Sequence, residues 1–254
     1  MHRLRARTLL LLPPRRRDGT AGPHRGPDAV TGGQDVALAL AAVTERIGEA
    51  CAQVGRQPSE VTLIGASKTV GIERIRAANE AGLCHFAENY AGELASKASL
   101  VEATWHFIGK LQRGTAAKVA EHASVVHTAE PGSGFDHLVQ RLAGLERTLP
   151  VLVQVDFTGR RQGVDPDDVG PFVTQTVARQ GLSVVGLMTL PPPGPDPEEA
   201  RPFFRRLREL RDALRERHPE VVQLSMGMSS DFPVAVEEGA TMVRVGTALF
   251  GSRP

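Results

Sequence analysis

Lys68 ends the apolar run Val61-Thr62-Leu63-Ile64-Gly65-Ala66-Ser67, and the last apolar run of the chain carries Val243-Arg244-Val245-Gly246-Thr247. A primary amine at the mouth of a strand is expected to be desolvated, which lowers its pKa and readies it for Schiff-base chemistry with an aldehyde or ketone. Arg-x-Gly-Thr after a strand supplies a fixed cation, a glycine that lets backbone N–H groups approach an anion, and a hydroxyl donor. Ser229, within Ser225-Met226-Gly227-Met228-Ser229-Ser230-Asp231, adds a hydroxyl before a helical pattern. Helix capping and phosphate binding are compatible roles for it, because a helix N-terminus favours an anion either way. Together these groups describe a site for an aldehyde that also carries a phosphate.

Of the 30 Lys and Arg residues only four are lysines, at 68, 97, 110 and 118. Lys97 lies in a polar helical stretch, and Lys110 and Lys118 flank or enter the helix after the third strand. Only Lys68 directly continues a strongly apolar strand. A strand-end lysine taken alone is more often a solvated loop residue, so its case rests on the companion groups. Arg244 follows the apolar Met242-Val243 and needs an acceptor, with a structural salt bridge as the competing reading. His106, in Trp105-His106-Phe107-Ile108-Gly109, points away from Trp105 and Phe107; a core histidine satisfied by one hydrogen bond is its competing reading. Asn89, in Phe86-Ala87-Glu88-Asn89-Tyr90, either faces a ligand or fixes a turn. There is no Ser-His-Asp or HExxH arrangement and no metal-ligand spacing of histidines, so no metal site is expected.

These groups need a scaffold, and 254 residues with 41% apolar and 23% charged content suit one globular domain with a substantial core. Aromatics are only 4%, so that core must rest on Leu, Val, Ile and Ala. A net charge of +1 leaves no footprint for nucleic acid or an anionic membrane surface. The charge is uneven: residues 1–34 hold seven arginines against Asp18 and Asp28, a balance of 7 − 2 = +5, which leaves +1 − 5 = −4 for the remainder. With four prolines, five glycines and no apolar periodicity, residues 1–34 are expected to be a disordered extension ahead of a domain at 35–254. The extension has the charge of an organellar transit peptide but lacks its amphipathic helix, and a start codon placed too far upstream produces the same stretch. No run reaches the length of a membrane-spanning helix. Cys51 and Cys84 suit buried thiols in a reducing compartment, so a cytoplasmic protein is expected, and a monomer.

After the extension, short β-branched runs alternate with helical patterns, which is the signature of βα units building a parallel sheet. A first helix is predicted over residues 35–54, with Val36, Leu38, Leu40, Val43 and Ile47 as its apolar side. Strands are predicted at 61–66, 83–86, 104–108, 124–128, 151–155, 182–187, 223–225 and 242–245. Helices are predicted from near 71 and at 113–122, 135–145, 167–179, 197–218 and 232–238, the long one burying Phe203, Leu207, Leu210 and Leu214. Eight strands, with no G-x-G-x-x-G after the first, point to a single (β/α)8 TIM barrel in the α/β class. Such barrels carry active groups just after strands and phosphate after strands seven and eight. Lys68 follows strand one, and Ser229, Gly246 and Thr247 follow strands seven and eight.

Six stretches together resemble the pyridoxal phosphate homeostasis proteins, single-domain relatives of the alanine racemase barrel. They are Ala66-Ser67-Lys68-Thr69, Phe86-Ala87-Glu88-Asn89-Tyr90, Trp105-His106-Phe107-Ile108-Gly109-Lys110-Leu111-Gln112, Gly186-Leu187-Met188-Thr189, Leu224-Ser225-Met226-Gly227-Met228-Ser229, and Met242 to Gly251. The resemblance implies that Lys68 forms the internal aldimine with pyridoxal 5′-phosphate and that Arg244 faces the pyridine nitrogen. It implies further that Ser229, Gly246 and Thr247 hold the phosphate while Asn89 and His106 line the ring. The chain departs from the family pattern at Ala87, at Arg113-Gly114, in Gly159-Arg160-Arg161-Gln162-Gly163 and at Ser230, and these departures are expected around the rim.

The resemblance also implies a protein that binds the cofactor and takes part in vitamin B6 and amino-acid homeostasis without established turnover. An arginine cannot protonate the ring nitrogen as a carboxylate does, so the electron sink is weak. Alanine racemase tolerates such an arginine but brings a tyrosine from a second domain, which this chain is expected to lack; Tyr90 is its only tyrosine. Apo forms of pyridoxal phosphate enzymes are the expected recipients. The alternatives are a one-domain amino-acid racemase using Lys68 with His106 or Tyr90, and a Schiff-base aldolase acting on a phosphosugar without cofactor.

Overall fold

The computed structural model describes residues 27–251, with side chains from residue 33 onward. Eight parallel strands close into a barrel in sequence order, and the last pairs back onto the first. The strands are β1 (Thr62–Ala66), β2 (His85–Glu88), β3 (Thr104–Phe107), β4 (Val125–Ala129), β5 (Leu149–Val155), β6 (Leu182–Thr189), β7 (Gln223–Ser225) and β8 (Met242–Val245). The helices are α1 (Pro27–Gln53), α2 (Ile72–Glu80), α3 (Ala91–Ala98), α4 (Ala116–His122), α5 (Ser133–Gly144), α6 (Val169–Val177), α7 (Arg201–Leu214), α8 (Phe232–Glu237) and α9 (Thr247–Phe250). The expected (β/α)8 barrel is therefore the observed fold.

Strand alternation divides the interior into two cores. Ile64, Ala87, Val125, Leu152, Met188 and Met242 face inward and fill the barrel itself. The opposite strand faces pack against the helices in a larger core that includes Phe86, Phe107, Phe135, Phe204 and Phe232. Burial of these aliphatic and aromatic surfaces, at about 25 cal/mol per Å² of apolar area, is the main favourable term holding the layers together.

Several boundaries differ from the sequence expectation for identifiable reasons. α1 begins at Pro27, ahead of the predicted start at residue 35. Proline suits a first helical position because its missing N–H would have no intrahelical partner there. The rest of the expected extension, residues 1–26, lies outside the described residues. β2 starts two residues later than expected because Gly82 and Leu83 still close α2. Their N–H groups donate to the carbonyls of Asn79 and Ala78, and Gly82 takes the left-handed φ of 106° that ends helices.

Within α1, Val36, Val43, Ile47, Ala50 and Cys51 are buried, whereas Leu38 is 71% exposed. Leu38 is off the 3.6-residue stripe that the other positions define. In α7 the packing differs from the expected stripe: Phe204 and Leu207 are fully buried and Phe203 is only partly covered. Cys51 is buried as expected, but Cys84, in the loop before β2, is only half-buried.

Phe204→Ala should therefore lower the unfolding free energy by about 3–5 kcal/mol, the usual cost of deleting a buried aromatic ring. Phe203→Ala should cost markedly less, as urea denaturation of the two variants will show.

Candidate functional site

The C-terminal ends of the strands open into a cavity of about 770 Å³, within the range of about 300–1,000 Å³ typical of small-molecule sites. Six of the seven site residues expected from sequence line it: Lys68, Asn89, Ser229, Arg244, Gly246 and Thr247. Ile108, Met188, Leu190 and Phe250 supply an apolar wall.

Lys68 is half-buried, and its Nζ stands 5.0 Å from the centre of the Tyr90 ring. Its backbone neighbours are both pinned. Ser67 extends the β1 ladder by donating its N–H to the Ala87 carbonyl (2.9 Å), and its Oγ donates to Glu88 Oε1 (2.6 Å). Thr69 has a φ of 63°, costly for a β-branched residue, and donates its N–H to Glu93 Oε2 (3.0 Å).

One lysine ties these points together. Lys97 Nζ donates to the Ser67 carbonyl (2.7 Å), Glu88 Oε1 (2.7 Å) and Glu93 Oε2 (2.6 Å). Glu88 is fully buried and Lys97 nearly so. Burial pushes the Glu88 carboxyl up, and the bonds from Lys97 and Ser67 pull it back. This brace was not recognised from sequence. Its local signal was Glu93 and Lys97 at an i,i+4 spacing, which places them on one helix face.

Gly109 shapes the adjoining loop. A Cβ there would stand 1.9 Å from the Asn89 carbonyl oxygen, so only glycine lets the end of β3 press against the backbone that carries Asn89.

Arg244 is enclosed at the cavity wall. Its Nη1 donates to Ser225 Oγ and its Nη2 to the Thr189 carbonyl (3.1 Å). Among the described residues no carboxylate pairs with it, and Asp231 acts on it only through space. Burial lowers its pKa to about 10, so it remains a cation at neutral pH. The acceptor that sequence demanded is thus a pair of neutral oxygens and not a salt bridge. A buried cation without a counter-charge favours an anionic or strongly accepting ligand beside it.

At the other side, Ser229 Oγ accepts from the N–H groups of Gly246 (3.2 Å) and Ala248 (3.4 Å). α9 begins at Thr247, so a short helix stands directly after β8 where barrels of this kind place phosphate. Backbone N–H groups and two hydroxyls gathered at one side of a cavity are the donor set an anion requires.

His106 is not a lining residue. It is fully buried one layer below Ile108, with Nε2 bonded to His85 (3.0 Å) and Nδ1 to His127 (2.8 Å). The competing reading of one hydrogen bond also falls short, since both ring nitrogens are engaged. His106 lies within β3, short of the mouth, and Ile108, two positions further on, does the lining. Ala87 likewise sits inside the barrel and not on the rim, while Ser230 does face the cavity. His85, His127, Ser225 and Thr189, which contact these groups, were not singled out from sequence. Among the described residues no cluster of His, Cys, Asp and Glu is arranged to hold a metal ion, and no helix is long and apolar enough to cross a membrane.

Burial, with adjacent charge, holds His106 and His127 well below the usual histidine range, and burial lowers His85. The unfolded chain protonates these groups near pH 6.5 while the folded chain does not. The unfolded state therefore binds more protons below that pH. Their contribution to stability is complete above about pH 6.5 and is lost as the pH falls below it, at roughly 1.4 kcal/mol per unit of depression. The urea midpoint should drop between about pH 7.5 and about pH 5.5, and drop less in His106→Gln.

Comparisons with known proteins agree on the family. Residues 39–254 match the family model for the alanine racemase N-terminal domain. The pyridoxal phosphate homeostasis protein of Aquifex aeolicus is 40% identical over 220 residues, which cover 84% of this chain and 96% of the relative. That of Pseudomonas aeruginosa is 39% identical over 224 residues, covering 86% and 96%. The solved structure of PipY from Synechococcus elongatus with PLP bound superimposes with a TM-score of 0.75 at 34% identity, covering 85% of this chain and all of PipY. Alanine racemase from Corynebacterium glutamicum, at 16% identity and a TM-score of 0.68, shares the fold over 87% of this chain and 62% of the racemase. With a matching family model and relatives of this identity along nearly their whole length, the chain belongs to the pyridoxal phosphate homeostasis family, built on the alanine racemase N-terminal barrel.

Proposed function

We propose that this protein holds pyridoxal 5′-phosphate in the barrel mouth and serves vitamin B6 homeostasis by keeping and handing on the cofactor, without turning over a substrate. When bound, the cofactor supplies an aldehyde that captures amines and a ring that accepts electrons. Lys68 provides the amine that bonds reversibly to the aldehyde, Ser229, Gly246 and Thr247 hold the phosphate, and Asn89 flanks the ring. Arg244 meets the pyridine nitrogen as a donor. The names of the relatives and the cofactor bound to PipY support this reading.

The observation that carries the absence of turnover is the cavity lining, in which no Asp, Glu, His, Cys or Tyr accompanies Lys68 as a second acid/base, and the state of Arg244 adds to it. Among the described residues no carboxylate is hydrogen-bonded to its guanidinium, which as a donor would give the ring nitrogen a hydrogen bond without holding it protonated. The ring then stabilises a substrate carbanion poorly, and aldehyde exchange remains the favoured chemistry. A second acid/base opposite Lys68 is also missing from the candidates: His106 is enclosed below the cavity, and Tyr90 is already against the Lys68 amine. Exchange with apo-enzymes in the cytoplasm, by a monomer whose mouth is open, fits this arrangement.

Borohydride reduction followed by peptide mass mapping should place the cofactor on the Lys68 peptide alone, and Lys68→Ala should lose both the yellow colour and tight retention. An adduct on Lys97, Lys110 or Lys118 would refute the assignment. Alanine incubated with the loaded protein in heavy water should show no deuterium at its α-carbon; wash-in there would establish the racemase instead.

A further inference from the structure

His85, His106 and His127 occupy inward positions of β2, β3 and β4, and successive members are 21 residues apart. In the strand ladders His85 stands opposite Thr104 and His106 opposite Val125. Each histidine is thus two residues beyond its predecessor's partner, one step nearer the mouth. The steps join into a staircase. His85 Nδ1 is 3.0 Å from His106 Nε2, His106 Nδ1 is 2.8 Å from His127 Nε2, and His127 Nδ1 is 2.8 Å from Ser225 Oγ across the barrel. Ser225 accepts in turn from Arg244. A continuous hydrogen-bonded chain therefore runs from the half-buried floor residue His85 to the guanidinium in the mouth.

The direction of this chain follows from its last member. A guanidinium donates and never accepts, so Ser225 Oγ accepts a hydrogen bond from Arg244 and must donate its own O–H onward. Among the described residues His127 Nδ1 is the only acceptor within reach of that hydroxyl. A neutral imidazole that accepts at Nδ1 carries its proton at Nε2 and donates from there. His127 accordingly donates to His106, and His106 to His85. The reverse arrangement leaves the buried Ser225 hydroxyl proton unsatisfied, which costs about 1–3 kcal/mol. Protonating His106 sets its Nδ1–H against the Nε2–H of His127, and protonating His127 sets its Nδ1–H against the Ser225 hydroxyl proton; either breaks a link, which adds to what burial and Arg244 already impose.

We propose that Ser225, His127, His106 and His85 are positioning residues: a one-way chain, its direction imposed by Arg244, that fixes the guanidinium as a donor toward the ligand in the mouth. The effect on the ligand rests on the cofactor reading above, whereas the chain itself does not.

The test uses the full-length protein labelled with ¹⁵N-histidine, free of cofactor, so a failure of cofactor capture would not mask the result. Long-range ¹H–¹⁵N spectra should show His85, His106 and His127 all as the Nε2–H tautomer. His85→Leu removes the terminal acceptor and should shift the resonances of His127, two links away. His85→Gln offers a side-chain carbonyl in its place and should leave them close to wild type. Loaded with pyridoxal 5′-phosphate, His85→Leu should bind about fivefold more weakly, the worth of one net hydrogen bond, and His85→Gln within about twofold of wild type. An Nδ1–H tautomer at any of the three positions, or His127 resonances unmoved in His85→Leu, would overturn the chain. Unchanged affinity in His85→Leu alongside shifted resonances would overturn its positioning role.

Discussion

One buried cation, Arg244, organises the inside of this barrel near its mouth. Arg244 stands inside β8 with its charge met by neutral oxygens alone, and removing a guanidinium from water on those terms is tolerable only when every contact is well made. Ser225 and Thr189 are held where they are by strand pairing, so the strand register and the arginine environment are parts of one problem. Arg244 also lines the cavity, so an accepting ligand placed there would share in compensating its charge.

Much of the architecture was legible because βα repetition writes itself into sequence. Apolar runs such as residues 61–66 and 242–245 fall on β1 and β8 almost residue for residue, since an inward and an outward apolar face leave little room for ambiguity. The failures are local. α3 carried few apolar residues, because its buried face includes Lys97, whose burial depends on two glutamates no periodicity would reveal. Phe203 was preferred to Phe204 because both fit a stripe to within one position, and only the packed helix distinguishes them.

The site shows the same division. Residues immediately after strands, such as Lys68, Ser229 and Gly246, were readable because the barrel directs strand ends to one face. His106 was read as a lining residue when it belongs to a deeper layer, since the sequence alternation gives the side of a strand and not the height. The spacing of 21 residues between His85, His106 and His127 was visible all along. It acquires meaning only with the ladder, in which a pairing offset of 19 leaves a climb of two residues per strand.

The brace around Lys97 lies on the outer side of the barrel wall, between β2 and α3, whereas Ser229 follows β7 and its partners Gly246 and Ala248 lie after β8 and in α9. The backbone that carries Lys68 is thus supported from one flank of β1, and the Ser229 cluster is built on the other. Substitutions around Ser229 can leave the Lys97 brace intact, which makes this scaffold a natural starting point for changing one flank without disturbing its neighbour.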